Sequence, residues 1–397
     1  MTRFATLILM ACNIAVSAED AGVLTGLDVL QRDKFKILHD QRVGLITNHT
    51  GCNNDGVSGV ELMAAEMTVN LTALFSPEHG FEGKLDISRI DDALDEETGL
   101  RIFSLYGKTR RPTPEMLESV DTLVFDIQDI GCRFYTYIST MGEAMRAAAE
   151  HGKRFIVLDR PNPINGVDVA GPMLDPGKES FVGFHSLPVR HGMTIGEIAT
   201  MLKAELDLDL NLTVVKCEGW QRSMFWDATG LTWINPSPNM RSLTQALLYP
   251  GVGLMETTNV SVGRGTDTPF EVLGAPWIDA RQLASELNAQ KLRGVSFVPI
   301  RFTPDSSKFK EEECHGINII VTSRGAFDPL KTGFAIATSI RKLFPNDWQA
   351  DAYLRLLANQ NTLDAVLAGR GLQKVLKVSR KGLSDFRGRR QPFLIYE

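Results

Sequence analysis

The sequence predicts an α/β fold: a Rossmann-like open, mainly parallel sheet domain followed by a smaller α+β C-terminal domain. Three observations carry this. Runs dense in Val, Ile and Leu recur at 42–47, 71–76, 120–129 and 154–159, continuous as in strands buried on both faces of a parallel sheet. Helical periodicity follows the third and fourth runs, as a strand–helix alternation requires. Beyond residue 244 the order changes to Gly-rich loops, two further strand patterns and a helix.

In chain order, the first residues read "MTRFATLILMACNIAVSAED". Arg3 gives a positive start, Phe4 to Val16 a short apolar stretch, and Val16-Ser17-Ala18 a small-residue cleavage site. This is the pattern of a secretory signal over 1–18, so the expected location is periplasmic or secreted. A lipoprotein anchor at Cys12 is the minor alternative, because Met10 fits that motif poorly. The Rossmann-like domain is expected over 22–244. "RVGLIT" (42–47), "LTALFS" (71–76), "VDTLVFDIQD" (120–129) and "RFIVLD" (154–159) are its strands. Ile138, Met141, Met145 and Ala148 share one helical face, with Gly152 as the stop. Thr194 and Glu197 make a capping box that opens a helix over 194–206. The Pro- and Asn-rich stretch 234–242 marks a boundary. In the C-terminal domain, 245–397, strands are expected at 294–302 and 317–323. A helix with Leu330, Phe334, Ala337, Ile340 and Phe344 on one face follows, ended by Pro345.

The chain has 397 residues, 43% hydrophobic and 23% charged, with a net charge of -6. Such a balance offers no basic footprint for nucleic acid, and no run after the leader is long and apolar enough to span a bilayer. Cys52, Cys132, Cys217 and Cys314 are widely spaced. They allow three disulfide pairings or four buried thiols. Neither they nor the seven histidines have metal-ligand spacing.

In open α/β sheets, ligands bind beyond the carboxyl ends of the strands. After the first strand comes Asn48. After the second come Glu78 and His79, in "SPEHG". After the third come Asp126, Gln128, Asp129, Arg133, Tyr135 and Tyr137. After the fourth come Asp159, Arg160 and Asn162. The second half adds Glu256, Asn259, Arg264 and Asp267, and "PVRHGMT" adds Arg190 and His191. Amides, acids, arginines and aromatics on one rim suit a hydroxyl-rich, anionic small ligand. Structural roles stay open for many of them. Asn48 and Asn162 also suit turns, Asp126 and Asp129 also suit pairing with Arg133 or Arg160, and Arg264 also suits a loop brace. Trp220, Trp226 and Trp233 read as packing rather than stacking.

The sequence lacks a G-x-S-x-G elbow, an H-E-x-x-H pair, a Walker A loop, and a G-x-G-x-x-G after the first strand. Carboxylate chemistry without a cofactor is what these absences leave.

Taken in order, "GLITNHTG", "SPEHG", "SLYG", "VFDIQDIGCRFYTY", "VLDRPNP", "PVRHGMTIGE", "INPSPNM", "YPG" and "GRGTDTPFE" resemble the exo-β-N-acetylmuramidase (NamZ-type) family, formerly a domain of unknown function. The resemblance runs from about Gly26 to the C-terminal "FLIYE". It implies a Rossmann-like domain, a smaller C-terminal domain, and an active cleft between them. It also implies release of N-acetylmuramic acid (MurNAc) from the non-reducing end of peptidoglycan fragments such as muropeptides or MurNAc–GlcNAc.

The resemblance further implies Glu78 as catalytic acid, and His79 could orient it. Such an acid needs a carboxyl held protonated near the leaving oxygen. Asp126, Asp129 and Glu256 are candidates for a second carboxylate, with attack by the substrate's own acetamide as an alternative. Arg133, Arg160 and Arg264 are the choices for the lactyl carboxylate. Asn48, Tyr135, Asp159, Asn162 and Asn259 complete the expected binding set. The segment "KLDISRIDDALDEE" after "SPEHG" and Val262 depart from the family pattern. The rival reading is a non-catalytic muropeptide-binding protein on the same fold, and a third is an amidase or esterase acting on the peptide stem.

Overall fold

A computed structural model describes residues 22–87 and 89–397; the expected leader over 1–18 lies outside them. In the first half the strands are β1 (Arg42–Thr47), β2 (Asn70–Ser76), β3 (Ala93–Leu94), β4 (Arg101–Ser104), β5 (Thr122–Asp126), β6 (Arg154–Leu158), β7 (Ala170–Met173), β8 (Pro188–Arg190) and β9 (Leu212–Val215). The helices are α1 (Gly26–Arg32), α2 (Gly59–Ala65), α3 (Tyr137–Glu150) and α4 (Ile195–Glu205). Seven strands form one sheet in the order β3-β4-β2-β1-β5-β6-β9. All its pairings are parallel except β3 with β4. Strands β7 and β8 form a separate antiparallel pair.

The sheet's two faces explain its unbroken apolar runs. Leu45, Leu74, Val124 and Ile156 pack into one core, with Leu27 of α1 and Met63 of α2. Their neighbours Ile46, Phe75, Phe125 and Val157 pack into the other, against Ile138, Met141 and Met145 of α3. Alternate residues point to opposite faces, and both faces are covered. The capping box of α4 is present, with Thr194 accepting from Glu197 N. The third apolar run stops being strand at Asp126. Ile127 and Ile130 stay fully buried off the sheet, and periodicity alone does not separate buried loop from strand.

The second half contains α5 (Leu243–Val252), α6 (Ala280–Ala289), α7 (Pro329–Leu343), α8 (Leu354–Leu357), α9 (Gln360–Leu367), α10 (Leu372–Ser379) and α11 (Leu383–Arg390). Strands β10 (Val272–Ala275), β11 (Val295–Phe302) and β12 (Cys314–Val321) form an antiparallel sheet in the order β10-β12-β11. Helices α5 and α7 approach so closely that a Cβ on Gly251 would lie 1.9 Å from Pro329 O. That contact accounts for the glycine of "YPG". The larger core runs without a break from Phe125 and Met141 to Tyr249, Phe334 and Val366. Among the described residues, Cys52, Cys132, Cys217 and Cys314 are free and buried, and no helix is long and apolar enough to cross a membrane.

Candidate active site

Beyond the carboxyl ends of β2, β4 and β5, and facing the second half, opens a cleft of about 500 Å³. Among the described residues, Glu78 and Glu256 are its two lining carboxylates, one from each half.

Glu78 sits on a tight loop. β2 ends at Ser76, Gly80 N donates to Pro77 O at 3.1 Å, and His79 adopts a left-handed φ of 73°. The loop is fastened to the one that follows β1: His49 N donates to Phe81 O at 2.9 Å. The His49 ring packs over Gly83, where a Cβ would come within 1.8 Å of it, and its Nε2 reaches Asn235 O at 2.6 Å. Gly83 also has φ 65°, so glycine is required twice over. His79 lines the cleft, but its Nδ1 is engaged by Leu85 O at 2.7 Å. It braces the loop and makes no hydrogen bond to Glu78.

One side chain holds the Glu78 carboxylate and a second lies beside it in the cleft. Thr136 occupies the N-cap of α3 but makes no cap hydrogen bond; its hydroxyl donates to Glu78 Oε2 instead. The Tyr106 phenol faces the same carboxylate, and burial together with that neighbour pushes it up to about 12.

The opposite wall comes from the second half. Glu256 is ion-paired with Arg264 at 2.5 Å. Desolvation lifts Glu256 above its usual range, although Arg264 pulls it back. Arg264 also contacts Asp86 at 3.1 Å, and Asp86 accepts from Asn239 Nδ2 at 3.0 Å. The atypical segment after "SPEHG" therefore ties the loop of Glu78 to both Arg264 and the 234–242 stretch. Tyr135 lines the cleft edge-on to Tyr137 and Tyr249, with ring centroids 4.9 and 5.9 Å away.

Other predicted residues lie elsewhere, each for a visible reason. Asp126 and Arg160 form a buried ion pair, Nε to Oδ1 at 2.6 Å and Nη2 to Oδ2 at 3.0 Å; neither lines the cleft. Asp129 is buried and accepts from Gly131 N at 2.7 Å, and burial pushes it up to about 7. Asp159 accepts from Thr194 Oγ1, Gly196 N and Tyr396 OH at 2.6–2.8 Å, anchoring the start of α4. Asn48 bonds Thr50 N at 3.0 Å and Tyr137 OH at 3.1 Å. Asn162 bonds Ile164 N and Met193 O, and Asn259 bonds Asp347 O and Gln349 N. All three hold loops. Arg133 is 1% exposed and donates to four carbonyls, those of Pro172, Leu187, Leu356 and Leu357, at 2.8–3.0 Å. It is a brace between the halves, and it is closed to substrate.

The sequence reading missed Tyr106, Arg110, Thr136 and Arg355. Tyr106 had a signal, since it stands in "SLYG" just beyond a strand. Thr136 looked like an ordinary residue before a helix. Arg110 and Arg355 had none, because exposed arginines in turns and short helices are unremarkable in sequence.

The chain has clear relatives. A family model described as exo-beta-N-acetylmuramidase NamZ, N-terminal, matches residues 43–244, and its C-terminal counterpart matches 247–396. The peptidoglycan beta-N-acetylmuramidase NamZ of Bacillus subtilis (strain 168) is 44% identical over 384 residues, covering 96% of this chain and 93% of that protein. A DUF1343-family crystal structure from Bacteroides fragilis NCTC 9343 superposes with a TM-score of 0.88 at 39% identity, covering 94% of this chain and 99% of that one. A second DUF1343-family structure from the same strain gives 0.77 at 29% identity, with the same coverage.

Proposed function

Because the chain belongs to the exo-β-N-acetylmuramidase NamZ family, we propose that it releases terminal β-linked MurNAc from the non-reducing end of peptidoglycan fragments, with Glu78 as general acid. The observation that carries this reading is the placement of Glu78: it is held by Thr136 beside Tyr106, in the cleft between the halves. In glycoside cleavage one carboxyl protonates the leaving oxygen while a second group assists at the sugar carbon. Glu78 is in place for the first task. Glu256 is the candidate for the second, since Asp126 and Asp129 are bonded away from the cleft.

Incubation of the mature chain with a MurNAc–GlcNAc disaccharide, followed by mass spectrometry, tests the proposal. Free MurNAc from wild type and none from Glu78→Gln is the expected result. Full activity in Glu78→Gln would remove Glu78 from the role. Tight binding without product from the wild type would instead favour a muropeptide-binding protein. The reading includes export, supported by the leader pattern of residues 1–18. An N-terminus still at Met1 in protein recovered from its native cell would count against cleavage there.

A further inference from the structure

We propose that Arg110 and Arg355 together grip the lactyl carboxylate of the terminal muramyl residue. The inference rests on the muramidase reading above and assigns the group that separates MurNAc from the otherwise identical N-acetylglucosamine.

Among the described residues, the cleft has three arginines in its lining: Arg110, Arg264 and Arg355. Arg264 is already committed to Glu256 and Asp86. Among the described residues, Arg110 and Arg355 form no ion pair and no side-chain hydrogen bond, and both are exposed. A cleft that holds two carboxylates and two uncommitted guanidinium groups suits a ligand with its own negative charge. On a muramyl residue without its stem peptide the lactyl ether supplies one free carboxylate, and guanidinium groups bind carboxylates through directed pairs of N–H donors.

Arg110 does not swing freely. Its guanidinium carbon lies 4.9 Å from the Tyr106 ring centroid and 4.2 Å from that of Phe181, so the two rings hold it by cation–π contact. Arg355 acts on the same Tyr106, where its charge and that of Arg110 both favour the phenolate. Tyr106, Glu78 and the two cations thus line the same cleft. An anion bound to the cations is placed beside the acid. On a pyranose the lactyl ether at C3 and the scissile bond at C1 are separated by a single ring carbon, so one site can hold both.

Arg355 comes from α8, a helix of a single turn. The carbonyls of Leu356 and Leu357 at its end have no helical partner, and both accept from Arg133 Nη2, at 2.9 and 2.8 Å. Arg133 leaves β5 on the same segment as Thr136, which holds Glu78. The acid's tether and the turn bearing Arg355 are therefore fixed by residues three apart in sequence.

The test compares kcat/KM on 4-nitrophenyl β-MurNAc with that on its lactyl-amide derivative, for wild type, Arg110→Ala, Arg355→Ala and Arg355→Lys. The ratio of the two substrates within one variant cancels any general loss of fold or activity. Wild type should prefer the free acid. Each alanine variant should lose roughly tenfold or more of that preference, as expected when a charge-assisted hydrogen bond is removed, mainly through KM, and Arg355→Lys should recover part of it. Active alanine variants that keep the full wild-type preference would overturn this inference and leave the muramidase reading intact. A wild type that cleaves neither substrate would overturn both.

Discussion

Replacing Asp126 by Asn should cost stability and spare catalysis. The Asp126 and Arg160 side chains are 0% and 4% exposed, joined by two charge-assisted hydrogen bonds of 2.6 and 3.0 Å. Neutralising one member leaves the other as a buried charge whose remaining side-chain bond is to Cys52 O, at 2.9 Å. Breaking a buried pair in this way costs about 3–5 kcal/mol. Unfolding entropy near the midpoint is about 2.1 cal/mol/K per residue, hence roughly 0.8 kcal/mol/K for a chain of this length. The melting midpoint should therefore fall by about 4–6 °C. Scanning calorimetry reads this directly, and turnover of a MurNAc glycoside measured well below the midpoint should change less than about twofold. The double variant Asp126→Leu/Arg160→Met, which removes both charges, should recover much of the loss. An Asp126→Asn protein that melts like wild type but no longer turns over would refute the reasoning and return Asp126 to the chemistry.

Three further outcomes are expected. Gly83→Ala, which forces a Cβ into the His49 ring at a positive φ, should displace the loop of Glu78. We expect kcat/KM to fall by at least about tenfold with a lower melting midpoint; a fully active Gly83→Ala protein would show that the loop is not set by this contact. Tyr106→Phe removes the phenol facing Glu78 and should lower kcat by on the order of tenfold, and steady-state kinetics with unchanged kcat would count against its role. The Asp129 carboxyl titrates at about 7 when folded, against roughly 3.9 when unfolded. Between those values the folded state binds the extra proton, so this group's contribution to stability is complete at low pH and declines as pH rises through about 7. Asp129→Asn should remove that decline: relative to wild type, its melting midpoint should be higher at pH 8 than at pH 5. A difference independent of pH would show that Asp129 titrates normally.

The sheet was legible because its strands combine two signals. Continuous Val, Ile and Leu at 42–47, 71–76 and 154–159 match β1, β2 and β6 closely, since both faces of each are packed. Strand β4, with Arg101 exposed and Phe103 half-buried, and β9, half-buried throughout, lie near the sheet's edges and gave no such run. The cleft was legible only where a lining side chain follows a strand at once, as Glu78 does. The list of polar strand ends over-predicted for a physical reason. Buried loop ends need internal hydrogen-bond partners, and Asn48, Asp159 and Asn162 supply them with the same residue types a sugar site would use. Arginine was hardest to place. Arg133 and Arg160 look like ligand grips in sequence, yet their charge is spent inside the protein, whereas Arg110 and Arg355 carry no local signature.

The unbroken core across the two halves has a consequence for how such a protein can be divided. A fragment ending at residue 244 would bare the surface of Phe134 and Tyr135 now covered by Tyr249, and would strip Arg133 of two carbonyl acceptors. A fragment beginning at 247 would expose the opposite side of that seam and lose the contact between Arg264 and Asp86. Each piece would expose its side of that seam, so the two matched segments should fold as one unit rather than apart. A foreign partner for either segment would therefore have to rebuild the hydrophobic seam along which the cleft opens.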